Sequence, residues 1–160
     1  MSDVKTAYKE DFVAWSKEQA EALRAEARAG SNQKLDWENL AEEIESSGVS
    51  QLRELKSQIR RVIERLLTLE FSRATDPRRG WVESIGDARS EIELVLDDSP
   101  SLKWEIGAAI SSGYKHAARK AIFALEECGE LDPAIAARIH VRTYTEKEIL
   151  DDWFPPKPQE

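Results

Sequence analysis

The sequence predicts an all-α fold, an up-down helical bundle of about four main helices with one or two short helices at its C-terminal end. Three observations predict it. Apolar residues recur at threes and fours through nearly the whole chain, which is the period of a helix and not of a strand. Ala, Leu, Glu, Arg and Lys dominate the interior of the sequence, and these residues lose little rotamer freedom in a helix. Gly and Pro are few, and the prolines sit near the ends of the periodic segments.

A first helix is expected from about Lys9 to Ala29, with Phe12, Trp15, Gln19, Ala22 and Leu23 on its inner face and Gly30-Ser31-Asn32 as its stop. Asp36 is a credible N-cap for the second, since its carboxylate can accept from the orphan N–H groups that follow. From there Trp37, Leu40, Ala41, Ile44, Gly48, Leu52, Leu55, Ile59, Val62, Ile63, Leu66 and Leu67 form the clearest stripe in the chain. Gly48 costs about 1 kcal/mol relative to Ala in a helix interior, yet the apolar phase continues through it. One long helix of about 50 Å is therefore expected, with a kink or a close helix contact at Gly48. Asp76 to Gly80 is a connection, and a third helix spans about Trp81 to Leu96 with Trp81, Ile85, Ala88, Ile92 and Leu96 inward.

Ser99 reads as the cap of the fourth helix with Pro100 at its first position, where a missing N–H does no harm. Its stripe is Leu102, Ile106, Ala109, Ile110, Gly113, Ala117, Ala121 and Leu125, closing at Gly129; the small residues Gly107, Gly113, Ala117, Ala118 and Ala121 suggest tight helix packing. Pro133 to Ile139 reads as a short helix, and Thr145-x-x-Glu148 as a capping box for a last turn before Pro155-Pro156. Ile139 to Tyr144 is the one weak strand candidate.

At 160 residues the chain is expected to be a single domain over 1–160, with a short flexible N-terminus (1–8) and a C-terminal tail (155–160). A chain of this length buries roughly 70% of the surface its unfolded form exposes, enough to fold without metal or disulfide. The net charge of −8 argues against a generic phosphate-binding role, which needs a basic field. Charge is unevenly spread: Arg53 to Arg89 carries nine Lys/Arg against six Asp/Glu. Cys128 is the lone cysteine, so no intramolecular disulfide is expected, which fits a reducing cytosol. No apolar run approaches the ~20 residues of a membrane span, and a cytoplasmic location is the expectation.

The chemistry-bearing motifs are sparse. His116 and His140 are the two histidines; neither belongs to a Glu-x-x-His or His-Glu-x-x-His pattern, and Cys128 has no second Cys with which to bind zinc. The glycines form no phosphate loop, and no nucleophile elbow occurs. No cofactor and no catalytic residue is therefore assigned, and no metal site. Cys128 stands at a helix C-terminal end, where the dipole disfavours a thiolate. The most pointed local feature is acidic: Glu38, Glu42 and Glu45, spaced four and three apart, share one helix face with Asn39 and Glu43 nearby. Such a face suits a hard cation or a basic partner, or is a solvated first turn favoured by the dipole. Arg53, Lys56, Arg60 and Arg61 lie around the same long helix, with Arg73, Arg78 and Arg79 following. Without a reading motif they are better taken as surface charge than as a nucleic-acid interface. Trp15, Trp37 and Trp81 fit the apolar stripes, Trp104 falls off its own, and Trp153-Phe154 is expected to fold the tail back onto the bundle.

Several segments in order carry a family resemblance. They are Asp11-Phe12-Val13-Ala14-Trp15, then Asp36 through Ser46 with Gly48, Ser99-Pro100-Ser101-Leu102, Tyr114 with Ala117 and Ala121, Tyr144-Thr145, Ile149-Leu150-Asp151 and Phe154-Pro155. Together they resemble the bacterial family catalogued as domain of unknown function number twenty-nine, over nearly the whole chain. Glu-Asn-Leu-Ala-Glu-Glu-Ile-Glu (38–45) is the most specific part. The resemblance implies an all-helical bacterial protein and supplies no catalytic residues. The chain departs from the family near 128–142: Glu127-Cys128-Gly129 and Arg142-Thr143 stand where a Thr-Gly pair and a Cys-Pro are usual.

Two functions follow from the residues. The first is a protein-interaction module, in one form an acidic protein that masks a basic partner as an antitoxin masks a toxin, with a homodimer as another form. The second is a ligand- or metal-binding bundle, or an enzyme, built on Glu38, Asn39, Glu42 and Glu45 with Arg or His116 from another helix. Membrane association is not expected, and nucleic-acid binding comes third.

Overall fold

The structure, a computed structural model, describes residues 3–158. It is all-α, with seven α-helices, one 3-10 helix and no strand among the described residues. The helices are α1 (Val4–Glu10), α2 (Phe12–Ala29), α3 (Trp37–Phe71), α4 (Arg78–Asp98), α5 (Ile106–Glu127), α6 (Pro133–Val141) and α7 (Glu146–Leu150), and the 3-10 helix Pro100–Glu105 precedes α5. The segment 139–144 ends α6 and continues as irregular chain. The contacts divide the chain into two compact units, residues 1–54 with 94–105, and residues 55–93 with 106–160.

In the first unit the expected helix from Lys9 is interrupted at Asp11. Its backbone is extended (φ −156°, ψ 99°), its N–H closes α1 on Ala7, and its carboxylate accepts from Ala14 N at 2.8 Å to cap α2. Val4–Glu10 is helical; of the lead expected over 1–8, residues 1–2 lie outside the described residues. Asp11 also accepts from the N–H and hydroxyl of Ser101 at 2.6 and 3.0 Å. The inner face of α2 is Val13, Ser16 and Ala20, not the larger residues the periodicity selected; Ala22 is exposed and Phe12 and Trp15 are half-buried. Small residues win because α2 lies close to α3: a Cβ on Gly48 would stand 2.1 Å from Ser16 Oγ and 3.2 Å from Ser16 Cβ. Trp15 instead meets Tyr8 of α1 edge-to-face, with ring centroids 4.8 Å apart. Gly30 ends α2 in the left-handed conformation (φ 69°), where a side chain would be strained.

Ser99 corrects a second expectation. It is fully buried, but its hydroxyl does not cap the helix that follows; it accepts from Val13 N at 3.1 Å and donates to Gln51 Oε1. With that oxygen engaged, the chain after Pro100 winds as a 3-10 helix whose Leu102 N donates to the Ser99 carbonyl, and the α-helix begins at Ile106.

α3 is one continuous helix of 35 residues through Gly48. Asp36 starts it as expected, accepting from the N–H and side-chain amide of Asn39 at 3.2 and 2.6 Å. In the second unit its residues Leu55, Ile59, Val62, Ile63, Leu66 and Leu67 are all fully buried, as are Ile85 and Ala88 of α4 and Ala121 of α5. Burial of this many branched side chains is the main source of stability there, at roughly 1.5–3 kcal/mol each before the entropy of ordering them. The C-terminus of α3 is closed by neighbours: Arg78 donates to the carbonyls of Leu69 and Ser72 at 3.0 Å, and Glu130 accepts from Ser72 Oγ and Arg73 N.

The last segment is held by two arginines. Arg89 donates to the carbonyls of Glu148, Ile149 and Trp153 at 2.8–2.9 Å and lies 5.0 Å from the Phe154 ring. Arg142 reaches both oxygens of Glu70 at 2.9 Å, and Tyr144 donates to the same carboxylate. The capping box is present, Thr145 Oγ1 accepting from Glu148 N and Glu148 from Thr145 N. Pro155 is buried; of the expected tail, residues 159–160 lie outside the described residues.

Candidate functional site

The four acidic-face residues occupy the first turns of α3. Glu38, Asn39 and Glu42 are exposed; Asn39 is engaged with Asp36, and Glu45 turns away to Arg24 of α2 at 2.6 Å. That contact, with the Arg24 charge behind it, holds the Glu45 carboxyl below its ordinary pKa. Asn39 and Glu45 thus bond to different partners, the one within its own turn and the other on α2. Among the described residues no group of three or more His, Cys, Asp or Glu could hold a metal ion.

A concave polar surface occurs instead in the second unit, where α3 and α5 run side by side. From α3 come Ser57, Arg60, Arg61, Glu64 and Arg65, spaced so that they share one helix face. From α5 come His116, Ala117 and Lys120, again at three and four. They line a recess of about 320 Å³. Gly113 makes the arrangement fit: a Cβ there would lie 2.7 Å from Arg60 Cγ, so the arginine stem rests directly on the backbone of α5. Four cations face one carboxylate. Among the described residues Arg60, Arg61 and Lys120 form no ion pair, and Arg65 reaches Glu64 only at 3.9 Å. The Nε of Arg65 is buried without a hydrogen-bond partner.

One turn further along α5 a second, apolar recess of about 430 Å³ shares Glu64 and Lys120 with the first and is lined also by Arg119, Phe123 and Ala124. Phe123 is 61% exposed. Cations left without counter-ions, beside an aromatic ring left in water, make a surface suited to an anionic group followed by an apolar one. Sequence spacing identifies Arg60 and Arg61 but reads them as ordinary surface; Arg65 shares their α3 face, and His116 and Lys120 join them only because α5 lies alongside. The signal that could have found the pairing is Gly113-x-x-His116 with Lys120 four residues on, a face with no bulk opposite the Arg60 turn.

The family model described as "Domain of unknown function DUF29" matches residues 7–154. The chain belongs to the DUF29 family. An alpha-helical protein of unknown function from Rhodospirillum rubrum, known from its crystal structure, resembles this DUF29 chain with a TM-score of 0.73 and 27% identity, over 92% of this chain and 90% of its own. No curated protein matches the sequence. No helix among the described residues of this DUF29 protein is long and apolar enough to cross a membrane.

Proposed function

We propose that this DUF29 chain is a protein-interaction module, and that the basic recess between α3 and α5 receives an acidic segment of a protein partner. The observation that carries the reading is the set of unpaired cations Arg60, Arg61 and Lys120 on a chain of net charge −8, with exposed Phe123 beside them. Like charges crowded on one surface repel unless an anion joins them. A carboxylate-bearing segment relieves that repulsion, and its apolar neighbours cover the ring.

The experiment is fluorescence anisotropy with a labelled oligo-glutamate carrying one leucine, at low and at physiological salt. Binding that weakens with salt is expected. Two partly exposed pairs worth about 0.7 kcal/mol each predict about tenfold weaker binding for R60A/R61A. Equal binding by wild type and variant would overturn the reading, and so would tighter binding of a single-stranded DNA of equal charge. A second reading, a basic partner masked in the manner of an antitoxin, is favoured by Glu38 and Glu42, which are exposed and unpaired among the described residues. Labelled oligo-lysine is its probe: binding lost in E38Q/E42Q supports it, and absence of binding refutes it.

A further inference from the structure

The charges without partners on this chain come in two groups of opposite sign. On the first unit α3 presents Glu38, Glu42 and Glu43, all exposed and none with an ion pair among the described residues. On the second unit the recess presents exposed Arg61 and Lys120 and half-buried Arg60, again with no ion pair among the described residues. The two groups are opposite in sign and alike in size. Glu42 and Glu43 are consecutive, as are Arg60 and Arg61, and each pair has a further charge of its own sign beside it, Glu38 one turn earlier on α3 and Lys120 across the recess on α5. Each carries an apolar companion in water: Leu40, one turn before Glu43, is 41% exposed, and Phe123 adjoins Lys120.

We infer that the acidic segment taken by the recess belongs to a second copy of this chain: the Glu38–Glu43 turns of α3 from one molecule dock on the Arg60/Arg61/Lys120 recess of another. The inference rests on the reading of the recess as an acceptor of acidic segments. It accounts for both unpaired sets at once, since each supplies the counter-charges the other lacks, whereas a foreign partner would account for one. Opposed charge patterns also fix register and exclude wrong partners more than they add affinity, so the contact is a reversible one with strong salt dependence.

Sedimentation equilibrium across the micromolar range tests it. Wild type is expected to exceed the 18.2 kDa monomer mass with rising concentration, and to fall back toward it in high salt. R60E/R61E and E42K/E43K are each expected to remain monomeric. Mixed, the two variants should re-associate as a one-to-one pair, because the first keeps the acidic face and the second keeps the recess. R61E/K120E serves in place of R60E/R61E if loss of the Arg60 stem from Gly113 impairs folding. Wild type that stays monomeric throughout overturns the inference, as does association unaffected by either reversal or a mixture that does not re-associate. Oligo-glutamate binding to monomeric E42K/E43K reads the recess separately. Binding there with a monomeric wild type removes the second copy and leaves the recess; no binding removes both.

Discussion

Replacing Gly48 by alanine sets two known effects against each other. At an unobstructed position inside a helix, Gly→Ala is stabilising by about 1 kcal/mol. Gly48 is obstructed: the new Cβ would lie 2.1 Å from Ser16 Oγ and 3.2 Å from Ser16 Cβ. Ser16 is fully buried and its hydroxyl donates to the Val13 carbonyl at 2.8 Å. Rotating the hydroxyl away costs that bond, about 1 kcal/mol, and the Cβ contact still forces α2 outward, an overpacking cost of about 1–3 kcal/mol. The clash wins, and G48A is expected to be less stable by about 1–3 kcal/mol. The assay is urea unfolding followed by circular dichroism, with G86A as the control, since a Cβ on Gly86 meets nothing within 4 Å. G86A should gain about 0.5–1 kcal/mol. Substituting Ser16 by glycine in the G48A background makes room for the methyl group and should show a favourable coupling of about 1 kcal/mol. Stabilisation by G48A equal to that of G86A would refute the close approach of α2 and α3.

Three further perturbations probe other joints. R89A removes three hydrogen bonds to the carbonyls of Glu148, Ile149 and Trp153; a loss of about 3 kcal/mol is expected, with faster amide exchange over residues 146–154. S99A leaves the buried Val13 N–H without its acceptor and should cost about 2 kcal/mol by urea unfolding, whereas a mere cap would cost less. Burial pushes the Tyr114 hydroxyl up to about 12, and burial with the bond to Glu70 pushes Tyr144 up as well. A raised folded pKa means stability is intact below the unfolded value near 10 and is lost as pH rises above it. Native protein at pH 11 should therefore lack the phenolate absorbance of these two tyrosines until it unfolds.

The helical class and the four main helices were legible because periodicity reports which residues face a core, whatever that core is. The cap at Asp36, the stops at Gly30 and Gly129 and the capping box at Thr145 were legible because they are local chemistry. Ser99 was misread because its side chain bonds to Val13, 86 positions away; Asp11, a local cap, was passed over because the apolar phase runs on through it from Lys9 to Ala29. The inner face of α2 was misread because hydrophobicity favoured Phe12 and Trp15, while the close approach at Gly48 selected Ser16 and Ala20. The recess was half legible. Its α3 cations were visible as a cluster, but their meaning depends on α5, and no pattern within one helix names its neighbour.

The claim that the recess between α3 and α5 is the binding surface is tested most directly by nuclear magnetic resonance titration of the ¹⁵N-labelled protein with oligo-glutamate. Saturable shifts at the arginine Nε–H signals of Arg60, Arg61 and Arg65 and at the amides of His116 and Lys120 are predicted. Shifts confined to other surfaces, or none at low salt, would contradict it.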